Sequence, residues 1–214
     1  MNIKLLQALA LFGACLTSGL VAGLFAGFAY AVMPGLSRSD DHTFVEAMQK
    51  INVAILNGWF MFCFVGGLLL TAAALLLHLR SGNGVLPWII AALVLYLAMF
   101  VITGIVNVPL NDELARAGEH LTDPSVARAH FESRWVTWNI VRAIVTTMAF
   151  TALVYALVLH GRAAATPTQP LGSDHSTSPH TVQDGGTQQN EGPARVAGES
   201  RGLPKKSRLP RTSR

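Results

Sequence analysis

Four long apolar segments constrain this chain more than any other feature. The hydrocarbon core of a bilayer is ~30 Å thick, so a helix that spans it needs about 20 mainly apolar residues. Such segments are predicted at about residues 5–33, 51–79, 87–107 and 137–160. Because lipid offers no partner to an exposed backbone N–H or C=O, each segment must be helical. The sequence therefore predicts an all-α fold in which residues 1–161 form a four-helix transmembrane bundle.

Local signals predict where these helices begin and end. The first helix is expected to stop before Pro34, which cannot continue a hydrogen-bonded helix. A cleaved signal peptide is the alternative for this segment, but its apolar region exceeds the usual ~7 to 15 residues. Asp40 and Asp41 cap a second helix that becomes apolar only from about residue 51. Pro124 opens a last helix, which runs to His160 and whose first turns stand outside the bilayer.

Residues 162–214 differ in composition from the rest of the chain. They hold half of the 16 Lys and Arg residues, are rich in Thr, Pro, Gln, Ser and Gly, and contain almost no large apolar residues. Such a segment cannot offset chain entropy by burial, so it is predicted to be a disordered basic tail. Beside a membrane, a basic tail favours the anionic cytoplasmic leaflet. The sequence thus predicts an integral protein, in a cell's inner membrane, with cytoplasmic termini and no nucleic-acid partner.

Arg142 is the only full charge within the four predicted spans. Polar groups inside a bilayer are costly, which makes this residue a candidate for function. At 100° per residue it shares a helical face with Trp135 and Trp138, and Asn139 lies at the edge of that face. Arg142 either snorkels to the headgroups or points inward and forms a cavity with Asn139 and the indole rings. The inward interpretation is favoured because these side chains fall on nearly one face.

Further amides are predicted to contribute to the same cavity. Gln49 and Asn52 share a face of the second helix, and Asn107 and Asn111 follow one another in the third helix and beyond it. Pro109 interrupts the step between the last two, so they need not share a face. The candidate catalytic residues are thus Arg142, Asn139 and Asn52, and the candidate substrate-binding residues are Trp135, Trp138, Asn107, Asn111 and Gln49.

The remaining glycine, cysteine and histidine positions bear on helix packing and on metal binding. Gly19, Gly23 and Gly27 repeat every four residues, a spacing typical of close helix packing. The alternative interpretation is that the glycines form a groove for a flat ligand.

Cys15 and Cys63 lie inside apolar runs and are expected to be small core residues. The loop residues His42, Glu46, His120 and His130 are the only metal candidates, and a surface ion pair of Glu46 with Lys50 is the simpler interpretation. No metal and no other cofactor is expected.

Several of these residues lie in short strings that resemble the anthrone oxygenase-like family of small membrane proteins. The strings are MPGL at residues 33–36, QKIN at 49–52, NVPLN at 107–111 and WVTWNIVR at 135–142. The resemblance covers roughly residues 5–160 and implies a four-helix fold. It also implies oxidation of anthrones to anthraquinones without a metal or flavin, which fold similarity alone does not transfer.

That chemistry needs a base, a partner for an oxyanion and a flat apolar slot. Arg142, Asn139 and Asn52 are expected to stabilise the oxyanion, and the indoles with the glycine face to hold the rings. The base would come from the loops, as His42, Glu46 or His130, unless the substrate ionises first. The sequence predicts an oxygenase or oxidoreductase acting on a planar phenolic or quinone-like molecule dissolved in lipid.

A non-catalytic role is the alternative. The protein would then bind or transport a small molecule, or pack as an accessory subunit or homo-oligomer through its glycine-rich helix. A transporter is less favoured, because the sequence shows no inverted repeat.

Overall fold

The computed structural model describes residues 2–82, 84–119 and 123–165. The chain divides into two units, Met1–Gln169 and Pro170–Arg214, and the second lies outside the described residues, as does most of the predicted tail. Within the described residues every regular element is a helix and none is a strand. The predicted all-α fold is confirmed.

We number the described helices α1 to α5. Four of them are long and apolar enough to cross a membrane, namely α1, α3, α4 and α5. The chain is therefore an integral membrane protein, and α2 is a short amphipathic helix between the first two spans. The five helices have these bounds: Ile3–Leu36 for α1, Asp41–Ala54 for α2, Gly58–His78 for α3, Leu86–Ile102 with its continuation to Glu119 for α4, and Pro124–Ala165 for α5.

Two prolines lie inside helices where the sequence predicted a helix end. α1 continues through Pro34 to Leu36 because a π-helical turn, Phe28–Val32, precedes the proline. α4 repeats this arrangement, with a π turn at Thr103–Asn107 before Pro109. A proline lacks an N–H and its ring clashes with the carbonyl four residues back in an α-helix. The wider π turn moves that carbonyl away, so both helices continue for at least one more turn.

The second predicted span, residues 51–79, is divided in the structure. α2 ends at Ala54, and α3 begins only at Gly58. The Asn57 side chain accepts a hydrogen bond from the Phe60 backbone N–H at 3.0 Å and so caps the new helix. The prediction of a continuous helix through this residue is wrong, because asparagine is a strong helix N-cap. Asn52 consequently lies on α2, outside the spans.

The third and fourth spanning helices are longer than predicted. α4 continues beyond residue 107 to Glu119, and α5 begins at Pro124 as predicted but ends at Ala165 instead of His160. The first residues assigned to the tail are thus helical. We call α2, the part of α4 after Asn107 and the first turns of α5 the cap, since they extend past the spans on one side.

The four spanning helices pack in a ring, in which α1 contacts α3 and α5, α4 contacts α5, and α3 makes a smaller contact with α4. Small residues permit close contacts here, because Gly67 lies against the Tyr96 hydroxyl and Gly19 against the Phe150 ring. Gly23 and Gly27 face open space instead, so among the described residues the predicted close packing of the glycine stripe is seen only at Gly19.

Arg128 on α5 holds the cap together. Its guanidinium donates to the carbonyls of Ser37 and Ser39, each at 2.9 Å, and pairs with Asp41 at 3.0 Å. It also pairs with Glu132 at 2.7 Å and lies 4.5 Å from the centre of the Phe44 ring. One side chain thereby ties α5 to the loop after α1 and to the start of α2.

Candidate functional site

Arg142 lies inside the bundle, with only 5% of the residue exposed. The Arg142 side chain points into the bundle and does not snorkel to the headgroups, so the structure shows the inward interpretation. The residues that share the buried face of α5 with it are Phe131, Trp135 and Asn139, spaced by four, four and three residues along the helix.

The guanidinium of Arg142 has few partners for a buried charge. Nη2 donates to the Asn139 side-chain oxygen at 3.0 Å, and Nη1 makes a long contact of 3.5 Å with the Thr103 hydroxyl. The guanidinium carbon lies 4.4 Å from the Phe25 ring centre and 5.5 Å from that of Trp135. Nε has no hydrogen-bond partner, and no carboxylate of the described residues pairs with the group. Desolvating an ion costs several kcal/mol, so this charge is poorly compensated.

Asn139 links α5 to α1 and holds the arginine. Its amide nitrogen donates to the Phe25 carbonyl at 3.1 Å, while its oxygen accepts from Arg142. The residue is fully buried. Phe25 therefore contributes to the site twice, through its backbone carbonyl and through its ring below the guanidinium. Phe25 was not predicted, because nothing in an apolar helix marks one phenylalanine among several.

Asn107 is buried, yet both polar atoms of its amide lack a hydrogen-bond partner. Its position follows from the antiparallel contacts of α4 and α5. The Trp135 indole N–H donates to Asn111 at 2.8 Å, and Thr103 contacts Arg142, so these pairs fix the register of the two helices. Asn107 lies halfway between Thr103 and Asn111, which places it level with Asn139. The π turn lets α4 continue through Asn111 despite the intervening proline.

Trp138 does not lie in the site. It is 38% exposed, whereas Asn139 is fully buried and Trp135 nearly so. The buried face of α5 is rotated relative to the predicted one, so that Asn139 moves from the edge to the interior and Trp138 takes the edge. Trp138 therefore lies apart from the group in which it was expected to hold the substrate rings with Trp135 and the glycine face, and the rings nearest Arg142 are Trp135 and Phe25.

The two predicted site residues of α2 have different surroundings. Gln49 donates to the Leu114 carbonyl at 2.8 Å and thus joins α2 to α4 within the cap. Asn52 is half-buried, and its amide nitrogen lacks a partner. Neither residue hydrogen-bonds Arg142 or Asn139. The structure connects Asn111, Trp135, Asn139 and Arg142 by contacts, places Asn107 beside them by helix register, and leaves the α2 residues apart.

The loop residues considered as bases or metal ligands lie away from this group. His42 and Glu46 are exposed and 3.9 Å apart, and a hydrogen bond from Lys50 lowers the pKa of the Glu46 carboxyl. His130 is exposed at a cap pocket of about 310 Å³. His120 lies outside the described residues. Among those described, no three His, Cys, Asp or Glu side chains converge as metal ligands would.

A groove of about 250 Å³ opens between α1 and α3. Leu20, Val21, Leu24, Trp59, Phe60 and Cys63 line this lateral groove. Leu20 and Trp59 are exposed on the outer surface of the bundle, whereas Val21 and Cys63 belong to the same buried cluster as Phe25. The groove thus opens at the outer surface and adjoins the buried cluster that contains Phe25.

The fold and this buried polar group define a helical integral membrane protein with an arginine and amide site between three of its spans. A family model described as anthrone oxygenase matches residues 60–152. The resemblance to the anthrone oxygenase-like family is confirmed for this segment, which contains Asn107, Asn139 and Arg142 but neither Phe25 nor Asn52. No curated protein and no solved structure matches the chain significantly.

Proposed function

We propose that the protein is an oxygenase that oxidises a planar phenolic or anthrone-like molecule dissolved in the bilayer. The observation that carries the proposal is the buried Arg142, whose Nε is unpartnered and whose charge no carboxylate of the described residues offsets. Buried, incompletely satisfied donors are costly, and they are suited to an anion that forms only during a reaction. The match to the anthrone oxygenase model supports the same chemistry.

The reaction balances with dioxygen as the only co-substrate. Loss of a proton from the CH₂ group of the anthrone gives an electron-rich enolate, which forms a C–O bond with dioxygen. After protonation this gives a hydroperoxide. Loss of the second C–H proton and cleavage of the O–O bond then yield the quinone and water. The anionic species is the enolate, so a fixed cation beside its oxygen lowers the barrier to its formation.

The residues of the site have separate roles in this proposal. Arg142 and the Asn107 amide donate to the enolate oxygen, and Asn139 is a positioning residue that holds the guanidinium. Trp135 and Phe25 supply apolar ring faces for a flat substrate. Since no His, Asp or Glu of the described residues hydrogen-bonds or pairs with Arg142, we assign proton loss to transfer from the substrate to water, favoured by the guanidinium beside the enolate oxygen.

The lateral groove is the proposed route from lipid to the site. It opens to the outer surface beside Trp59 and ends at the cluster that contains Phe25. A molecule in the groove would be separated from Arg142 by the Phe25 ring, so rotation of that ring would complete the site.

The decisive experiment measures oxidation of anthrone by the purified protein and its Arg142→Ala variant. Removing one oxyanion donor costs about 10²- to 10³-fold in rate, and we expect a loss of at least that size. Arg134→Ala, which removes an exposed arginine two turns earlier on α5, should retain activity. Equal rates for the wild type and Arg142→Ala would contradict the proposal.

A second candidate function rests on the open glycine face of α1. Gly23 and Gly27 have nothing within 4 Å of the position that a Cβ would take, so a helix of another subunit can approach there. As an accessory subunit or homo-oligomer, the protein should co-purify with its partner and lose it on Gly23→Leu. Recovery of the wild type as a lone monomer would remove this candidate.

A further inference from the structure

We propose that a cavity at the end of the bundle opposite the cap binds the phosphate headgroup of an anionic phospholipid. The cavity has a volume of about 800 Å³ and lies where α1 begins, α3 ends and α5 approaches its end. It shares no residue with the Arg142 site, and the inference does not depend on the proposed function.

Two cations, Lys4 and Arg80, line the cavity and are exposed. His160 also lines it, as a buried imidazole. None of the lining residues is an Asp or Glu. The cavity is thus complementary to an anion.

The distribution of carboxylates explains why these cations have no counter-charge among the described residues. Every Asp and Glu of the described residues lies between Asp40 and Glu132, in segments on the cap side. There, acidic residues pair with Lys50 and Arg128. At the opposite end the described part of the chain supplies no carboxylate, so the counter-charge must come from outside it.

The floor of the cavity is polar and fixed. The Gln7 side chain donates to the Leu77 carbonyl at 2.7 Å and to the Ser81 hydroxyl at 2.9 Å. His160 and His78 are in hydrogen-bond contact at 3.1 Å, and His78 bonds the Ala74 carbonyl. Because a carbonyl only accepts, the His78 Nδ1 carries a proton. These bonds join the three helix ends and leave the Ser81 O–H free to turn toward a headgroup oxygen.

The cavity walls favour a lipid over a free anion. Ile3, Leu76 and Leu79 line it and are more than half exposed on the outer surface of the bundle. Both α1, which begins here, and α3, which ends here, are spanning helices. The cavity therefore lies at the level of lipid headgroups. A phosphate between Lys4 and Arg80 would leave its acyl chains against these apolar walls. Basic pockets between spanning helices bind anionic headgroups in this way.

The test is binding of phosphatidylglycerol or phosphatidylcholine with identical acyl chains to the full chain in nonionic detergent, measured by native mass spectrometry. We expect a clear preference for phosphatidylglycerol. Lys4→Gln with Arg80→Gln should weaken its binding about 25-fold, since each basic group near an anionic headgroup contributes roughly fivefold. The matched control, Arg38→Gln with Arg134→Gln, removes the same charge at the cap side and should bind normally.

Three outcomes would overturn the proposal. Equal affinity for the two lipids would show that headgroup charge is not recognised. An equal loss in the control variant would reduce the effect to net charge. Displacement of the lipid by millimolar inorganic phosphate would show that the cavity takes a free anion instead.

Discussion

Two asparagines one turn apart on α4 illustrate how differently buried amides can behave. Asn111 accepts a hydrogen bond from the Trp135 indole, whereas both polar atoms of Asn107 are unpartnered. A buried amide without partners costs stability, so a chain under selection for stability alone would carry an apolar residue at position 107. The contrast supports a ligand-directed role for Asn107 and a structural one for Asn111.

Leucine substitutions at these two positions should therefore have opposite effects. Asn107→Leu should leave the free energy of unfolding unchanged or raise it, while anthrone oxidation falls. Asn111→Leu should lower the free energy of unfolding by about 1 to 3 kcal/mol, because it leaves the indole N–H buried without an acceptor. Denaturant unfolding and activity of both variants provide the comparison. Destabilisation by Asn107→Leu would point to a structural role.

At the scale of residues, the sequence identified the site only where chemistry contrasts with its surroundings. Arg142 is a lone charge among apolar residues, and its inward position could be predicted. Trp138 and Asn139 are adjacent, and choosing which one is buried requires the rotation of α5 about its axis. Neighbouring helices set that rotation. Phe25 could not be identified at all, because its role depends on contact with a residue over a hundred positions away.

At the scale of elements, the spans were predictable because a bilayer sets their length, but the helix ends were not. Pro34 and Pro109 looked like helix ends, and the π turns before them depend on backbone hydrogen bonds that composition does not reveal. Both π turns lie beside the candidate site, since Phe28 packs against Trp135 and Thr103 contacts Arg142. The break at Asn57 was missed for a related reason: an asparagine can be a cap or a mid-helix residue.

Filling the lateral groove tests its proposed role without touching Arg142. Leu24 lines the groove, so Leu24→Trp should obstruct it and raise KM for anthrone about tenfold with little change in kcat. Leu16→Trp places the same ring on the exposed face of α1 and serves as the control. If Leu24→Trp is as active as the control while Arg142→Ala is inactive, the lateral groove is not the substrate route, but the proposed role of Arg142 is supported.

The carboxylate that caps the N-terminus of α2 makes the stability of this helix sensitive to acid. The Asp40 carboxylate accepts from the Thr43 backbone N–H at 2.9 Å and from its hydroxyl at 2.7 Å, and these bonds lower the pKa of Asp40. A lowered folded-state pKa means that the unfolded chain binds more protons. The stabilisation is therefore present above the ordinary aspartate pKa of ~3.9 and is lost as pH falls through the lower, folded value.

Asp40→Asn should preserve the N-cap of α2 and remove this dependence on pH, because asparagine is about as good a helix N-cap as aspartate. The melting temperature of the variant should fall less between pH 7 and pH 3 than that of the wild type. Asp112→Asn, at an exposed carboxylate on α4, should behave like the wild type. Parallel curves for all three proteins would count against the role of Asp40.

At the scale of the whole molecule, the described chain consists of a membrane bundle and a cap. Within the cap, Arg128 bonds on both sides of Arg38 through the carbonyls of Ser37 and Ser39 and pairs with Asp41 at the start of α2. The apolar contacts of the cap continue into the bundle through Phe131 and Trp135, whose rings stack at 5.9 Å. The aromatic contacts of the cap thus reach the Arg142 site through Trp135.

Loss of Arg128 should loosen the cap but preserve the bundle. Hydrogen bonds to charged groups contribute about 1.5 to 3 kcal/mol each when fully formed, and Arg128→Ala removes several. Trypsin should then cleave after Arg38 faster than in the wild type, while the helical circular dichroism signal is retained. Arg134→Ala is the matched control. Unchanged cleavage of Arg128→Ala would show that apolar packing alone holds α2.

Because the described carboxylates all lie at the cap side, acid acts on one end of the bundle. Its effect can therefore report the orientation of the protein in a membrane. In a sealed proteoliposome, acid added outside reaches the α2 cap only in those molecules that inserted with the cap outward. The fraction of protein that pepsin cleaves within the cap at low external pH would measure how the population is oriented. The same experiment in inverted and right-side-out vesicles from cells would establish which compartment the cap faces.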